Sequence, residues 1–147
     1  MPNVSETYIE NRHRVQPNHA NNYGSVHGGN VMKWMDEVGA LSAMRLAGTT
    51  CVTASVDDLA FERPVPTGDT VVVESFAFDT GRTSVRVHLQ AYREDPRTGE
   101  HEPTTTSQFV FVALDEDGTP TAVPELTADS ERCRELRERA LAYRDDG

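Results

Sequence analysis

Gly24-Ser25-Val26-His27-Gly28-Gly29 runs straight into a hydrophobic stretch of helical periodicity. A helix N-terminus presents unpaired N–H groups and a partial positive charge, and glycines let a ligand come close to them. Such a place can hold an anion, or polarise a carbonyl as an oxyanion hole. The same glycines would also suit a plain loop-to-helix turn. No Gly-Lys-Ser/Thr ending follows, so the loop is not a phosphate-binding P-loop. Farther along the same stretch stands Asp36. An ionised carboxylate is costly to bury unless it is paired, and one tuned by burial can serve as a general base near neutral pH. An exposed or interface position with an ordinary partner would satisfy it equally. Asn21, in a polar loop before the helix, either shapes a turn or orients water or substrate beside Asp36. Thr80-Gly81-Arg82-Thr83-Ser84 joins a guanidinium to hydroxyls on a glycine turn. That set could grip a phosphate, or merely reverse a hairpin.

Other chemistries find less support. His13, His19, His27, His88 and His101 are scattered without a metal-ligand spacing, and no metal site is expected. There is no Gly-x-Ser-x-Gly nucleophile elbow. Asp115-Glu116-Asp117-Gly118 is too short for an EF-hand loop and reads as a solvated turn. Cys51 and Cys133 have no metal spacing and are read as two reduced thiols.

The elements that must carry these residues follow from periodicity. Thr7–Val15 reads as a short first strand. One long helix follows from about Gly28 to Ala47, closed by Gly48. Val31, Met32, Trp34, Met35, Val38, Leu41 and Leu46 cover a wide arc of it, so it should be buried on most sides. Asp36, Ala40, Ala43 and Ala47 form a second stripe, small apart from its carboxylate. Beyond Gly48 the period switches to alternation. Strands are expected over Cys51–Phe61, Thr70–Phe78, Thr83–Arg93 and Thr104–Leu114, joined by short turns that force antiparallel neighbours. In the third of these, Val85, Val87, Leu89 and Ala91 face one way, and Ser84, Arg86, His88 and Gln90 the other. Thr127 to Arg144 reads as a surface helix with a stripe of Cys133, Leu136, Ala140 and Tyr143. The sum is an α+β domain over residues 5–126, a curved antiparallel sheet of five to six strands wrapped around one hydrophobic helix, with a helical tail over 127–147.

With 147 residues the chain is the size of one domain. It carries 24 acidic against 14 basic residues, a net charge of −10, and Lys33 is its only lysine. Residues 1–125 alone hold 18 acidic and 9 basic residues, so the body itself is acidic. That balance argues against nucleic acid and against docking on an anionic membrane. Acidity almost without lysine suggests adaptation to a salt-rich cytosol. No apolar run is long enough to span a bilayer, and Met1 to Glu6 lacks the basic and apolar regions of a signal peptide, so a cytoplasmic location is expected.

The run Asn21-x-x-Gly24-x-x-His27-Gly28-Gly29-x-x-Met32-x-Trp34-Met35-Asp36-Glu37 resembles the acyl-CoA thioesterases of the hotdog fold, in particular their cytosolic acyl-CoA hydrolase branch. Thr53-Ala54-Ser55-Val56-Asp57, Phe61-x-Arg63-Pro64-Val65, Thr80-Gly81-Arg82-Thr83-Ser84 and Phe111-Val112-Ala113-Leu114-Asp115 are similar to that family in the same order. The resemblance implies hydrolysis of acyl-CoA to a free acid and CoA, with active sites between paired subunits: a homodimer at minimum and a trimer of dimers by the family's habit. Asp36 would activate water or attack the thioester, Asn21 of the facing subunit would position it, and backbone N–H at Gly28 or Gly29 would polarise the carbonyl. Arg82, Thr83 and Ser84 would contact the CoA phosphates, with Arg63 a weaker candidate. No cofactor is implied beyond the CoA of the substrate. Two alternatives stand beside this reading. One is a hotdog hydratase of enoyl or hydroxyacyl thioesters, but no histidine occupies the position of Asp36. The other is a non-catalytic acyl-CoA-binding module, for which the chain offers no output domain beyond a short tail.

Overall fold

The computed structural model describes residues 2–146. Five strands form one antiparallel sheet: β1 (Ile9–Arg14), β2 (Cys51–Val56), β3 (Thr70–Thr80), β4 (Ser84–Glu94) and β5 (His101–Ala113), in the order β1-β3-β4-β5-β2. The long helix α1 (Gly28–Ala47) crosses the inner face and touches all five strands. Its end is set where the sequence placed it, by Gly48 at φ +72°, a left-handed conformation that glycine adopts without a Cβ clash. On the inner face, Val31, Met35, Val38 and Leu46 of α1 pack against Val71, Val73 and Ala77 of β3, Val85, Val87, Leu89 and Ala91 of β4, and Phe109 and Phe111 of β5. Helix and sheet approach most closely at Gly39. A methyl group there would lie 3.1 Å from the Phe111 ring and 3.3 Å from Leu89.

The second helix, α2 (Glu131–Asp146), packs on the outer face. Cys133, Leu136 and Ala140 close a small core with Val4, Phe76 and Phe78. Glu74 lies buried there and accepts hydrogen bonds from Tyr8 Oη (2.6 Å), Tyr92 Oη (2.8 Å) and Arg139 Nη2 (2.6 Å). Three donors, one of them a cation, offset the cost of taking that carboxylate out of water. Cys51 and Cys133 are both buried and unbridged.

Four expectations are corrected. The first strand is shorter than Thr7–Val15, because Asn3 caps a 3₁₀ turn over Val4–Thr7 by accepting the Glu6 N–H at 2.9 Å. The strand expected over Cys51–Phe61 stops at Val56. Adjacent carboxylates at Asp57 and Asp58 are poor strand residues, and Pro64 and Pro66 cannot donate to a ladder. The tail helix starts at Glu131 rather than Thr127, where Ser130 Oγ accepts the Cys133 N–H at 3.1 Å. The fourth concerns faces. In the single chain α1 is not buried on most sides: Met32 and Leu41 are exposed and Asp36 is half-buried. The outer face of β4 is covered as well, since His88 lies 3% exposed on the side where α2 packs.

The two sheet edges differ in chemistry. β1 reads Ile-Glu-Asn-Arg-His-Arg, with Arg12 paired to Glu10 and Glu94. β2 reads Cys-Val-Thr-Ala-Ser-Val, carries no charge, and is exposed beyond Cys51.

Candidate active site

Asp36 projects from the second turn-pair of α1 toward edge strand β2, where Thr53 Oγ1 donates to its Oδ1. The pair is open rather than enclosed. Thr53 is exposed and Asp36 half-buried, and the hydrogen bond to Thr53 occupies only Oδ1 of the carboxylate. Of the small-residue stripe, Ala43 packs into the core while Ala40, one turn from Asp36, and Ala47, at the end of the helix, stay partly exposed.

Asn21 shapes the loop before the helix. Its Oδ1 accepts the N–H groups of Tyr23 (2.9 Å) and Ser25 (3.2 Å). The carbonyl end of the amide is therefore fixed by the backbone, and Nδ2 is left to donate outward. The tip of this loop, Tyr23, is 91% exposed. At the start of α1, the N–H groups of Asn30 (2.9 Å) and Val31 (3.4 Å) both turn back to His27 O. Gly28 and Gly29 precede that first bond and keep their N–H groups free, as a helix N-terminus does.

Asn21, Gly28 and Arg63 line one cleft of about 350 Å³ together with Val31, Phe61 and Thr104. Asp36 is not part of it. Eight residues of helix separate Gly28 from Asp36, about 12 Å along the axis. So a single chain brings Asn21 to Gly28, and Thr53 to Asp36, but does not bring the two pairs together. Arg82, Thr83 and Ser84 lie at the β3–β4 turn, at the end of the sheet near Thr53. Thr53 pairs with Phe111, which pairs with Val85, so the turn sits two strand spacings, roughly 10 Å, across the sheet from Thr53. The turn is tight: Gly81 N–H donates to Ser84 O at 3.0 Å, and a side chain at Gly81 would strike Ser84 Oγ at 2.5 Å. Arg82 itself is exposed and makes no ion pair among the described residues. Arg63 stands apart from this group. It is held at the opposite end of β5, where its Nη1 donates to Pro103 O (2.7 Å) and its Nε pairs with Glu102 (3.0 Å).

Two arrangements were not apparent from the sequence. Thr53 lay within a quoted motif, but its contact with Asp36 joins residues from different elements. The second is a ring cluster, in which His13 stacks on Trp34 at 4.7 Å and His19 meets it edge-on at 5.1 Å. Burial pushes the His13 pKa down, favouring the neutral ring. Among the described residues no group of three His, Cys, Asp or Glu could hold a metal ion, and no helix is long and apolar enough to cross a membrane.

The sequence profile of the thioesterase superfamily matches residues 23–100. The chain is 35% identical over 126 residues to YkhA of Bacillus subtilis, named an uncharacterized acyl-CoA thioester hydrolase; the match covers 86% of this chain and 73% of that one. The chain belongs to the thioesterase superfamily. The hotdog fold implied by the sequence motifs is borne out as well. This thioesterase superposes with TM-score 0.86 on a hexameric acyl-CoA thioesterase crystallised in its apo form, at 35% identity over 98% of this chain and 92% of that one. It superposes equally well, at 0.86 and 29% identity over 99% and 91% of the two chains, on an acyl-CoA hydrolase of Staphylococcus aureus solved with butyryl-CoA, CoA and CoA disulfide. Alanine variants of that hydrolase were solved at an asparagine, an aspartate and a threonine, the asparagine variant with CoA bound. Those three residues are spaced by 15 and 17 positions, as Asn21, Asp36 and Thr53 are here. The thioesterase spans 18% and 20% of the mouse and rat acetyl-CoA thioesterases that it also matches.

Proposed function

We propose that this thioesterase hydrolyses acyl-CoA to a free carboxylic acid and CoA, with Asp36 as the base that activates water. A thioester is already reactive, so the step needs a positioned water, one base and a donor for the developing oxyanion rather than a full triad. Asp36 Oδ1 is occupied by the Thr53 hydroxyl, which leaves Oδ2 to take the proton from water. The free N–H groups of Gly28 or Gly29 receive the carbonyl oxygen, where the α1 dipole favours negative charge. Asn21, its Oδ1 pinned, offers Nδ2 to the water or the thioester. No metal and no cofactor enter this scheme; CoA is part of the substrate.

Since one chain separates Asn21 from Asp36, the working site forms between two copies, Asn21 coming from the facing subunit. Edge strand β2 supports this. It is uncharged, with Val52 44% and Val56 41% exposed, and its outer backbone groups are free to pair. The pairs would repeat into a trimer of dimers, a reading that a hexameric relative supports. Arg82, with Thr83 and Ser84, forms the local cationic exception on an acidic body and holds the CoA phosphates. Arg63, already tied to Glu102, is left with a holding role for its own loop.

The observation that carries the reading is the Asp36–Thr53 pair beside that edge, in the spacing shared with the Staphylococcus aureus hydrolase. The test is Asp36→Ala assayed on acetyl- to palmitoyl-CoA with thiol detection. Turnover should fall by about 10²–10⁴-fold, the usual worth of a positioned base. Retention of wild-type turnover would remove Asp36 from the mechanism.

A further inference from the structure

Phe61 is a large aromatic residue left 45% exposed, and its position is not accidental. A methyl group on Gly28 would lie 3.3 Å from Phe61 Cε2 and 3.4 Å from Cζ, so the ring rests against the bare first residue of α1. The two residues after Phe61 are bolted to β5. Glu62 N–H donates to Thr104 O at 2.8 Å, and Thr104 Oγ1 donates to Arg63 O at 2.5 Å. Arg63 Nη1 donates to Pro103 O at 2.7 Å, and its Nε pairs with Glu102 at 3.0 Å. A loop of irregular backbone is thereby fixed immediately downstream of an exposed ring. Without those ties the ring would be free to fold back onto apolar surface.

We infer that Phe61 is a specificity-determining residue, the wall that limits bulk at the acyl carbons next to the thioester carbonyl. The inference rests on the proposed role of Gly28 in receiving that carbonyl. An oxygen held by the Gly28 N–H places the adjacent acyl carbons within a few ångströms of the same backbone, on a face where the ring already stands. The cleft there is mixed in character, lined by apolar Val31 and by polar Asn21 and Thr104. A straight acyl chain can pass along the ring, while a branch beside the carbonyl must collide with it. The ring cannot swing away cheaply, because Glu62 and Arg63 hold the chain that carries it. Arg63 thus acts through Phe61, as a positioning residue.

Butyryl-CoA and isobutyryl-CoA test this, since they have the same number of carbons and differ only in the branch. Wild type should favour butyryl-CoA in kcat/KM by about tenfold or more, the range a single displaced methyl group commands in a pocket. Phe61→Ala should bring the ratio within about threefold by raising kcat/KM for isobutyryl-CoA. Phe61→Trp should leave the ratio at the wild-type value or larger. A merely structural ring would lower both substrates alike and shift thermal stability without moving the ratio; an unchanged ratio in Phe61→Ala overturns the inference. Arg63→Ala, which frees the loop and leaves the ring in place, should lower the ratio partway. Failure of the wider reading would look different. Wild type would then release no CoA from either ester, or Asp36→Ala would match it.

Discussion

At the scale of single residues, the site is a set of side chains whose spare hydrogen-bonding capacity is directed by what they already hold. Thr53 is the instructive case. It spends its hydroxyl proton on Asp36, so one carboxylate oxygen is fixed and the other is presented. Thr53→Val should lower kcat by roughly tenfold with KM little changed, the worth of one hydrogen bond to a charged group, and Thr53→Ser should restore most of it. Steady-state kinetics on one acyl-CoA decides this. Loss in the Ser variant with activity kept in the Val variant would mean that the methyl group, not the hydroxyl, matters. Asn21 and Asp36 stood out as candidates in the sequence because they flank a glycine entry into an apolar helix, a local pattern. Thr53 meeting Asp36 was not, because strand β2 reaches the helix only after the chain has reversed at Gly48.

At the scale of elements, α1 was readable to its ends, since its arc and its glycine stop are written in neighbouring residues. The close approach at Gly39 was not, because it depends on which rings lie across the gap. Gly39→Ala should destabilise by about 1–3 kcal/mol, the cost of forcing a methyl group into a packed core, although alanine is the better helix former. Urea unfolding at neutral pH measures it; equal or greater stability would show that Phe111 and Leu89 give way freely. Alternation in β4 told which residues share a face but not what covers the face, and His88 lies enclosed beneath α2. Its ring is neutral. Burial and the nearby Arg139 push its pKa down to about 4, and Gln108 Nε2 donates to its Nδ1 at 3.0 Å, which places the ring proton on Nε2. The folded pKa lies below the unfolded value of about 6.5, so unfolded chains bind the extra proton first. The stability that His88 contributes is whole above pH 6.5 and is lost as pH falls toward 4. Urea midpoints taken from pH 7 to pH 5 should drop in wild type and drop less in His88→Gln. Parallel curves for the two proteins would exclude His88 as a source of the decline.

At the scale of the whole molecule, the proposed site draws on places that one chain holds about 12 Å apart along α1. Activity should therefore follow association. The double variant Val52→Lys, Val56→Lys puts like charges along the β2 edge, where they oppose pairing with a second copy. Sedimentation should show it shifted toward monomer, with specific activity falling on dilution more steeply than in wild type. A fully active monomer would contradict a site shared between subunits. This level was the least legible in the sequence. Residue types do not state which surface is spare, and Met32 and Leu41 looked like ordinary core until the fold left them outside.

The unlike edges of the sheet carry a consequence for how far such association can run. A sheet with two sticky edges is a monomer of a fibre: each addition leaves another edge behind. Here β2 is bare and uncharged, while β1 is fenced by Glu10, Arg12, His13 and Arg14. The chain thus has a valence of one in the hydrogen-bonding direction. Two copies meeting through β2 consume both bare edges and expose only fenced ones, so growth along the sheet ends at the pair. An acidic, lysine-poor protein with an uncovered strand would otherwise be a candidate for aggregation. The charged far edge would limit pairing along the sheet to two copies, leaving any larger assembly to other surfaces.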